Sequence, residues 1–136
     1  MKKPTITYST RLAGSSAELL VIEGMYETMT AGHLSSFHVA PHDEVIIASD
    51  DAMAVALIVF VEHEEIGEIW IHFGYCKAEY RRKGYYKACI DRMKKIAKER
   101  GYQRIHTATH HENKGAIESI KARGGELQYL LFSFPV

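Results

Sequence analysis

The stretch "EYRRKGYYKACIDRM", Glu79 to Met93, decides how the chain is read. Two arginines and a lysine, Arg81, Arg82 and Lys83, run directly into Gly84. Behind the glycine the hydrophobic period becomes helical: Tyr86, Cys89, Ile90, Met93, Ile96 and Ala97 form one apolar face, while Lys87, Asp91, Lys94, Lys95 and Lys98 point elsewhere. A strand that turns through glycine into a helix exposes unpaired backbone N–H groups and the positive end of the helix dipole. Gly84 permits close backbone approach and unusual dihedrals, and the three cations add charge at the same point. Taken alone, "RRKG" also reads as a solvated basic turn. Cations crowding a helix N-terminus are disfavoured by roughly 0.3–1 kcal/mol each, however, so a compensating phosphate or pyrophosphate is the natural guest.

Working outward, the residues before this turn read as strands. "TITYST" alternates and is β-branched; "SSAELLVIEGMYETM" follows as a helix, with Ser15 and Glu18 spaced as a capping box and Leu19, Ile22, Tyr26 and Met29 predicted on the packed face. "TAGHLSSFHVAPHD" is polar and reads as a loop or short helix. "EVIIASD", "AMAVALIVFVEH" and "EIWIHFGYC" form a three-strand meander, turning at Asp50 and Asp51 and again at "EEIG". Beyond the central helix, which ends at Gly101, come a fifth strand "YQRIHTATH", a short helix "KGAIESIKAR" capped by Asn113, and a closing apolar strand "ELQYLLFSFPV". The predicted order is β-α-β-β-β-α-β-α-β. The helical crossover makes the fourth and fifth strands parallel. This is an α/β chain with a mixed central sheet and flanking helices.

With 136 residues, no repeat and no dividing linker, residues 1–136 are expected to form a single domain around one core. Seventeen basic residues offset seventeen acidic ones, which argues against a nucleic-acid partner gripped through many phosphates. Cys76 and Cys89 form no CxxC pair, so disulfides and structural zinc are not expected and a reducing, cytoplasmic setting fits. "MKKPTITYST" has no apolar run after its lysines, and "AMAVALIVFV" is too short to cross a bilayer, so neither a signal peptide nor a membrane association is expected. His106, His110, His111 and Glu112 cluster near the fifth strand. On a strand His106 and His110 would stand about 13 Å apart, too far to share one ion, and no metal is expected.

Neither GxxxxGK[ST] nor GxGxxG is present, so a different phosphate binder is needed. "CKAEYRRKGYYKACIDRMKKIAKERG" resembles the acyl-coenzyme A binding segment of the GNAT family of N-acetyltransferases, whose pattern is Gln/Arg-x-x-Gly-x-Gly/Ala; Arg81 and Gly84 match it. "GEIWIHFGYCKAEYR" resembles the family's fourth strand, and "HENKGAIESIKARGG" its asparagine-led helix, with Asn113, Ala116, Ile117 and Gly124 in register. Two residues depart from the pattern. Tyr86 stands where a small residue is usual, which is compatible with binding if its side chain turns away and its backbone N–H faces the phosphate. Ile120 stands where many members carry a tyrosine proposed to protonate the leaving thiolate, so no tyrosine acid is assigned.

The resemblance implies a GNAT fold and an acetyl-coenzyme A dependent N-acetyltransferase acting on a primary amine by direct attack in a ternary complex. It implies that Arg81, Arg82, Lys83, Gly84, Tyr85 and Tyr86 hold the pyrophosphate and that Asn113 contacts the pantetheine arm as well as capping its helix. Tyr75 and Cys76 are named for their backbones, one N–H of that segment stabilising the oxyanion. An alkylammonium loses its proton only near pH 10, so a base or a water relay is required. Glu68 and His72, four residues apart on one strand face, are the candidates; a solvated glutamate and a hydrogen-bonded sheet histidine are their structural readings. Cys76 reads as a small apolar strand residue and not as a nucleophile. "EHEEIGE" could attract a cationic acceptor, although a charged hairpin turn is its commoner meaning.

By resemblance, Tyr26, His33, Phe37 and His38 lie in the segment lining the acceptor pocket, without naming the acceptor. Two rival functions follow from the same residues: a catalytically weak GNAT-fold protein that binds or senses coenzyme A, kept open by Ile120, and a nucleic-acid module using Arg81 to Lys83. The final strand could pair with a second copy, giving a homodimer, or be buried within its own domain.

Overall fold

A computed structural model describes residues 3–33 and 39–136. Phe37 and His38 lie outside the described residues. Five strands form one sheet in the order β1-β2-β3-β4-β5. β1 (Thr5–Ser9), β2 (Glu44–Asp50), β3 (Met53–His63) and β4 (Glu68–Cys76) pair antiparallel; β5 (His106–Thr107) runs parallel to β4. β3 reads as a continuous apolar run because it is buried on both faces: Val55 to Phe60 have no exposure. Between them α2 (Tyr85–Glu99) covers one face and α1 (Glu18–Thr30) the other, while α3 (Lys114–Ala122) follows β5. Among the described residues no helix is long and apolar enough to cross a membrane.

One irregularity positions everything below. Val59 pairs with Phe73 but Phe60 pairs with Ile71, so His72 is an extra residue in β4. Before this bulge Ile69 and Ile71 join the core under α2; after it Phe73 and Tyr75 join the core under α1. A bulge of this kind bends the strand and re-aims its side chains. It also coincides with the point where the sheet opens. β5 matches β4 only at Trp70 and Ile71, and among the described residues no strand lies beside β4 from Phe73 to Cys76 on that side.

α2 is as predicted at both ends, with Gly84 at its start, Gly101 (φ +86°) just past its end, and Cys89, Met93, Ile96 and Ala97 buried. α1 corrects the sequence reading. Leu19, Ile22, Tyr26 and Met29 are exposed, and Ala17, Leu20, Val21 and Gly24 face the sheet instead. The helix carries apolar residues on both faces, so periodicity could not choose between them. Close packing chose the face with glycine: a Cβ on Gly24 would lie 2.6 Å from Tyr75 Cγ. The capping box is also displaced. Ser15 Oγ accepts from the Ala17 N–H at 3.2 Å and the Glu18 carboxylate accepts from the Gly14 N–H.

The second correction is at the C-terminus. The ninth predicted element is not formed: residues 126–136 make no strand, and Leu127, Tyr129, Leu130, Leu131, Phe132 and Phe134 stand 69–91% exposed. The edge they would join is short, because only His106 and Thr107 of the predicted fifth strand enter the ladder. α3 buries none of its residues and gives them little to pack on.

Candidate functional site

The loop leading into α2 has the backbone of an anion cradle. Arg82 (φ +62°) and Gly84 (φ +88°) both occupy the left-handed region. The first intrahelical bond runs from Ala88 N–H to Gly84 O at 3.0 Å, so the N–H groups of Tyr85, Tyr86 and Lys87 precede the helical ladder. Left-handed residues interleaved along a short loop turn successive N–H groups inward, which suits a phosphate. No heavy atom lies within 4 Å of where a Gly84 Cβ would sit, so the glycine serves the dihedral and leaves space above the loop.

The basic side chains divide. Arg82 and Lys83 are exposed, Lys83 Nζ lying 5.7 Å over the Tyr80 ring. Arg81 turns back: its Nη2 donates to Glu27 Oε1 at 2.8 Å, its Nε donates to Cys76 O at 2.9 Å, and its guanidinium stacks 5.7 Å over Tyr75. Arg81 therefore ties the loop to β4 and α1 instead of adding an uncommitted charge. Tyr85 is buried in the core, edge-on to Tyr80.

Tyr86 turns away from the loop, as its place in the pattern requires. Its ring lies 5.5 Å from the Arg123 guanidinium, and its hydroxyl abuts Gly74, where any Cβ would collide with it. Burial pushes its phenol pKa up. Arg123 Nη1 donates to Ser119 O at 3.1 Å, while its buried Nε has no hydrogen-bond partner among the described residues. Nothing in the sequence singles out Arg123, the residue that ends α3; only its packing on Tyr86 sets it apart.

On the α1 side, Tyr75 reaches between two carboxylates, its hydroxyl 2.9 Å from Glu23 Oε2 and 2.6 Å from Glu27 Oε2. Lys77 Nζ closes the network on Glu23 Oε1 at 2.7 Å. The Lys77 hydrogen bond holds the Glu23 carboxyl below its ordinary value, and Arg81 does the same for Glu27. The Tyr75 phenol is driven up, first by burial and then by these carboxylates. An open cleft of about 600 Å³ lies here, lined by Tyr26, Thr30, Tyr75, Lys77 and the three glutamates 23, 27 and 79. Glu23 and Glu27 lie more than forty residues upstream of their partners, and nothing local in the sequence signals the contact.

Farther along β4, Glu68 and His72 do face the same way, but each has its own partner. Trp70 Nε1–H donates to Glu68 Oε1 at 3.0 Å, and His106 Nε2 lies 3.3 Å from Glu68 Oε2 while its ring stacks on Trp70. His72 and His63 bring their Nε2 atoms within 3.0 Å, one donating and the other accepting, and His63 Nδ1 lies 3.4 Å from Glu65 Oε1. The structure thus adds His63, opposite on β3, to the sequence candidates. His110 stacks on His33 and His111, apart from His106. Among the described residues no group of histidine, cysteine and carboxylate side chains is arranged to hold a metal ion.

Burial pushes the Cys76 thiol up despite the opposing Arg81 charge, which keeps it a thiol at neutral pH. Asn113 caps α3, its Oδ1 accepting from the Ala116 N–H at 3.1 Å.

Comparison with solved structures places this arrangement among known folds. A ribosomal-protein-alanine N-acetyltransferase from Brucella melitensis biovar Abortus 2308 superposes with a TM-score of 0.70 at 16% identity, over 98% of this chain and 100% of that one. The aminoglycoside N-acetyltransferase AAC(6')-Iy in complex with CoA gives 0.68 at 16% identity, over 97% and 98%. A transcriptional regulator from Bacillus halodurans C-125 gives 0.69 at 13%, over 98% and 100%. At these identities the likeness is one of fold. No curated protein matches the sequence. The sequence profile of the acetyltransferase (GNAT) family matches residues 16–124, spanning the glycine loop, the bulged strand and the asparagine-capped helix; this chain belongs to that family.

Proposed function

We propose that this acetyltransferase takes its acetyl group from acetyl-coenzyme A and transfers it to a primary amine by direct attack in a ternary complex. One observation carries the reading: the left-handed loop at Arg82 and Gly84 feeds the N-terminus of α2 beside a stretch of β4, Phe73 to Cys76, that among the described residues has no strand neighbour on its β5 side. The residues fit the coenzyme. N–H groups of the loop and of Tyr85 and Tyr86 suit the pyrophosphate, with Arg82 and Lys83 beside them. The open edge of β4 suits an extended amide-bearing arm that bonds as a strand would, and the buried Arg123 Nε is a donor still lacking an acceptor next to Tyr86. Bound there, the thioester supplies an activated acyl carbon and a thiolate leaving group.

The chain's own residues then have three tasks. A backbone N–H near Tyr75 or Cys76 steadies the oxyanion. The cleft between α1 and β4 receives the acceptor, and its glutamates 23, 27 and 79 favour a cationic amine. The proton leaves through water towards His72, the nearer of the two candidates: Glu68 lies seven residues from Tyr75, roughly 23 Å along a strand, whereas His72 lies about 10 Å away. His72 passes the proton to His63, and exposed Glu65 delivers it to solvent. Glu68 instead holds Trp70 and His106 in place. Without a tyrosine at Ile120, water protonates the thiolate.

The test is calorimetric titration of the protein with acetyl-coenzyme A and with coenzyme A, alongside Gly84→Asp, followed by thiol-release assays over a panel of amines. Micromolar binding, weakened at least about 100-fold by a carboxylate set against the pyrophosphate, and amine-dependent thiol release are expected. A folded wild-type protein that binds neither ligand would overturn the reading.

A further inference from the structure

We propose that the Tyr86 hydroxyl hands the proton to the sulfur that leaves, so that water protonates the departing thiolate by way of this phenol. The inference rests on the reading above, in which an acetyl thioester lies along β4 with its carbonyl on an N–H near Tyr75 or Cys76. The Tyr86 hydroxyl abuts Gly74, the residue just before that N–H. Glycine is required at this point. Any Cβ on residue 74 would collide with the phenol oxygen, so a glycine on β4 and a tyrosine on α2 together bring a hydroxyl up to the open strand.

The surroundings of this hydroxyl differ from those of the other tyrosines. Tyr8, Tyr75 and Tyr102 direct theirs at carboxylates: Glu44 for the first, Glu23 and Glu27 for the second, Glu62 for the third. The ionisable groups that face Tyr86 are Cys76 at the end of β4, Cys89 one turn along α2, and Arg123 at the end of α3, with no carboxylate among them. Its proton is therefore not committed to an acidic neighbour. Arg123 completes the arrangement: its guanidinium lies 5.5 Å from the Tyr86 ring, and its buried Nε has no hydrogen-bond partner among the described residues. That cation opposes the burial that pushes the phenol pKa up, and it steadies a phenolate while one exists. Ile120, one turn before Arg123, packs against Gly125 and brings no acid.

The two thiols report what a thiolate meets here. Burial pushes the Cys76 thiol up and the Cys89 thiol up to about 12. A thiolate released beside them lacks the same solvation, so it is a stronger base than in water and a neighbouring phenol becomes an acid of comparable strength. As the carbon–sulfur bond breaks, its electron pair goes to sulfur and Tyr86 Oη passes its proton to that sulfur. The phenolate beside Arg123 then takes a proton from water. The neutral amine gives up one proton on becoming an amide and the sulfur gains one, so the exchange balances.

Tyr86→Phe tests the proposal, because it removes one oxygen and keeps the ring on Arg123 and the backbone N–H offered to the pyrophosphate. Calorimetry is expected to give the same acetyl-coenzyme A affinity within about twofold, while turnover with the fastest amine of the panel falls about 100-fold at an unchanged KM for acetyl-coenzyme A. A second readout needs no amine. The thiol of bound coenzyme A is titrated through the ultraviolet absorbance of its thiolate, with the absorbance of the protein alone subtracted. A hydrogen bond donated to the thiolate favours the charged form, so Tyr86→Phe is expected to move the midpoint upward by about one pH unit. Unchanged turnover in Tyr86→Phe, where the unmodified protein does acetylate an amine, would overturn the proposal and leave the acetyltransferase reading standing. Lost turnover with an unmoved midpoint would also overturn it, since the ring and not the hydroxyl would then matter. Should no amine react, the midpoint alone decides: moved, Tyr86 donates to the bound sulfur; unmoved, it does not.

Discussion

The centre of the sheet and its β5 edge are finished differently. At β2 and β3 every strand has two neighbours, α2 presses Cys89 and Met93 on the residues around Phe60, and Arg100 locks the far end of the helix down through Glu44 and Glu62. At β5 the ladder is two residues long, α3 buries nothing completely, and an apolar tail follows with no sheet partner among the described residues. The contrast separates two jobs. The centre holds the helix whose N-terminus makes the loop, and rigidity there fixes its N–H groups. The edge is open where a coenzyme arm is proposed to complete it.

The strongest way to break this comparison is to weaken both regions equally and compare the costs. Phe60→Ala removes the largest fully buried side chain and is expected to cost about 3–5 kcal/mol, while Ile117→Ala on α3 is expected to cost about 1 kcal/mol. Urea unfolding of the two variants measures both. Equal costs would mean that α3 is packed as tightly as the centre.

The next test concerns the lock. Arg100 donates from Nη1 to Glu62 Oε2 at 2.8 Å and from Nη2 to Glu44 Oε1 at 2.6 Å, and Tyr8 and Tyr102 hydroxyls donate to the same two carboxylates. Arg100→Ala leaves both carboxylates partly buried without their cation and is expected to cost about 2 kcal/mol in the same measurement. The pairs bridge α2 to strands far away in sequence, so the loss should fall on global unfolding and not on fraying of the helix end.

Acid sharpens the same point. Burial alone would raise the Glu44 pKa, but the hydrogen bonds from Arg100 and Tyr8 outweigh it and the carboxyl sits below its ordinary value. A depressed folded pKa contributes stability that is complete above the unfolded value, about 4.3, and is lost as pH falls through the folded value. Glu23 and Glu27 shift in the same direction. The urea midpoint is therefore expected to be flat from pH 7 to about pH 5 and to fall below about pH 4. Arg100→Ala is expected to make that acid limb shallower; an unchanged limb would mean that Glu44 contributes nothing through this pair.

The same division governs how much the sequence could tell. β2 and β4 have the bounds their apolar runs imply, β3 differs by one residue, and the Gly84 loop with its amphipathic helix could be read from one glycine and one period. Those features are local. What could not be read depends on partners brought together by folding. The face of α1 was decided by Gly24 against Tyr75; the orientation of Arg81 was decided by Glu27; the pairing of His72 with His63 follows from a bulge that no residue type announces. The tail has the composition of a buried strand, and the cover that would bury it is not in the described chain.

Asn113 offers the finest test, because one side chain is asked to do two things. Its Oδ1 accepts from the Ala116 N–H, which satisfies one of the orphan donors at the start of α3. Asn113→Ala removes the cap and is expected to cost about 1 kcal/mol. Asn113→Asp retains a good cap and favours the helix dipole, so stability should hold, but it replaces an amide donor by a charge. If Asn113 only ends a helix, Asn113→Asp will bind acetyl-coenzyme A as the unmodified protein does. If its Nδ2 also donates to the coenzyme arm, binding by calorimetry will weaken about tenfold with no change in the urea midpoint. That separation of affinity from stability is what a helix standing at the open edge of the sheet should allow, and a residue buried at the centre would not.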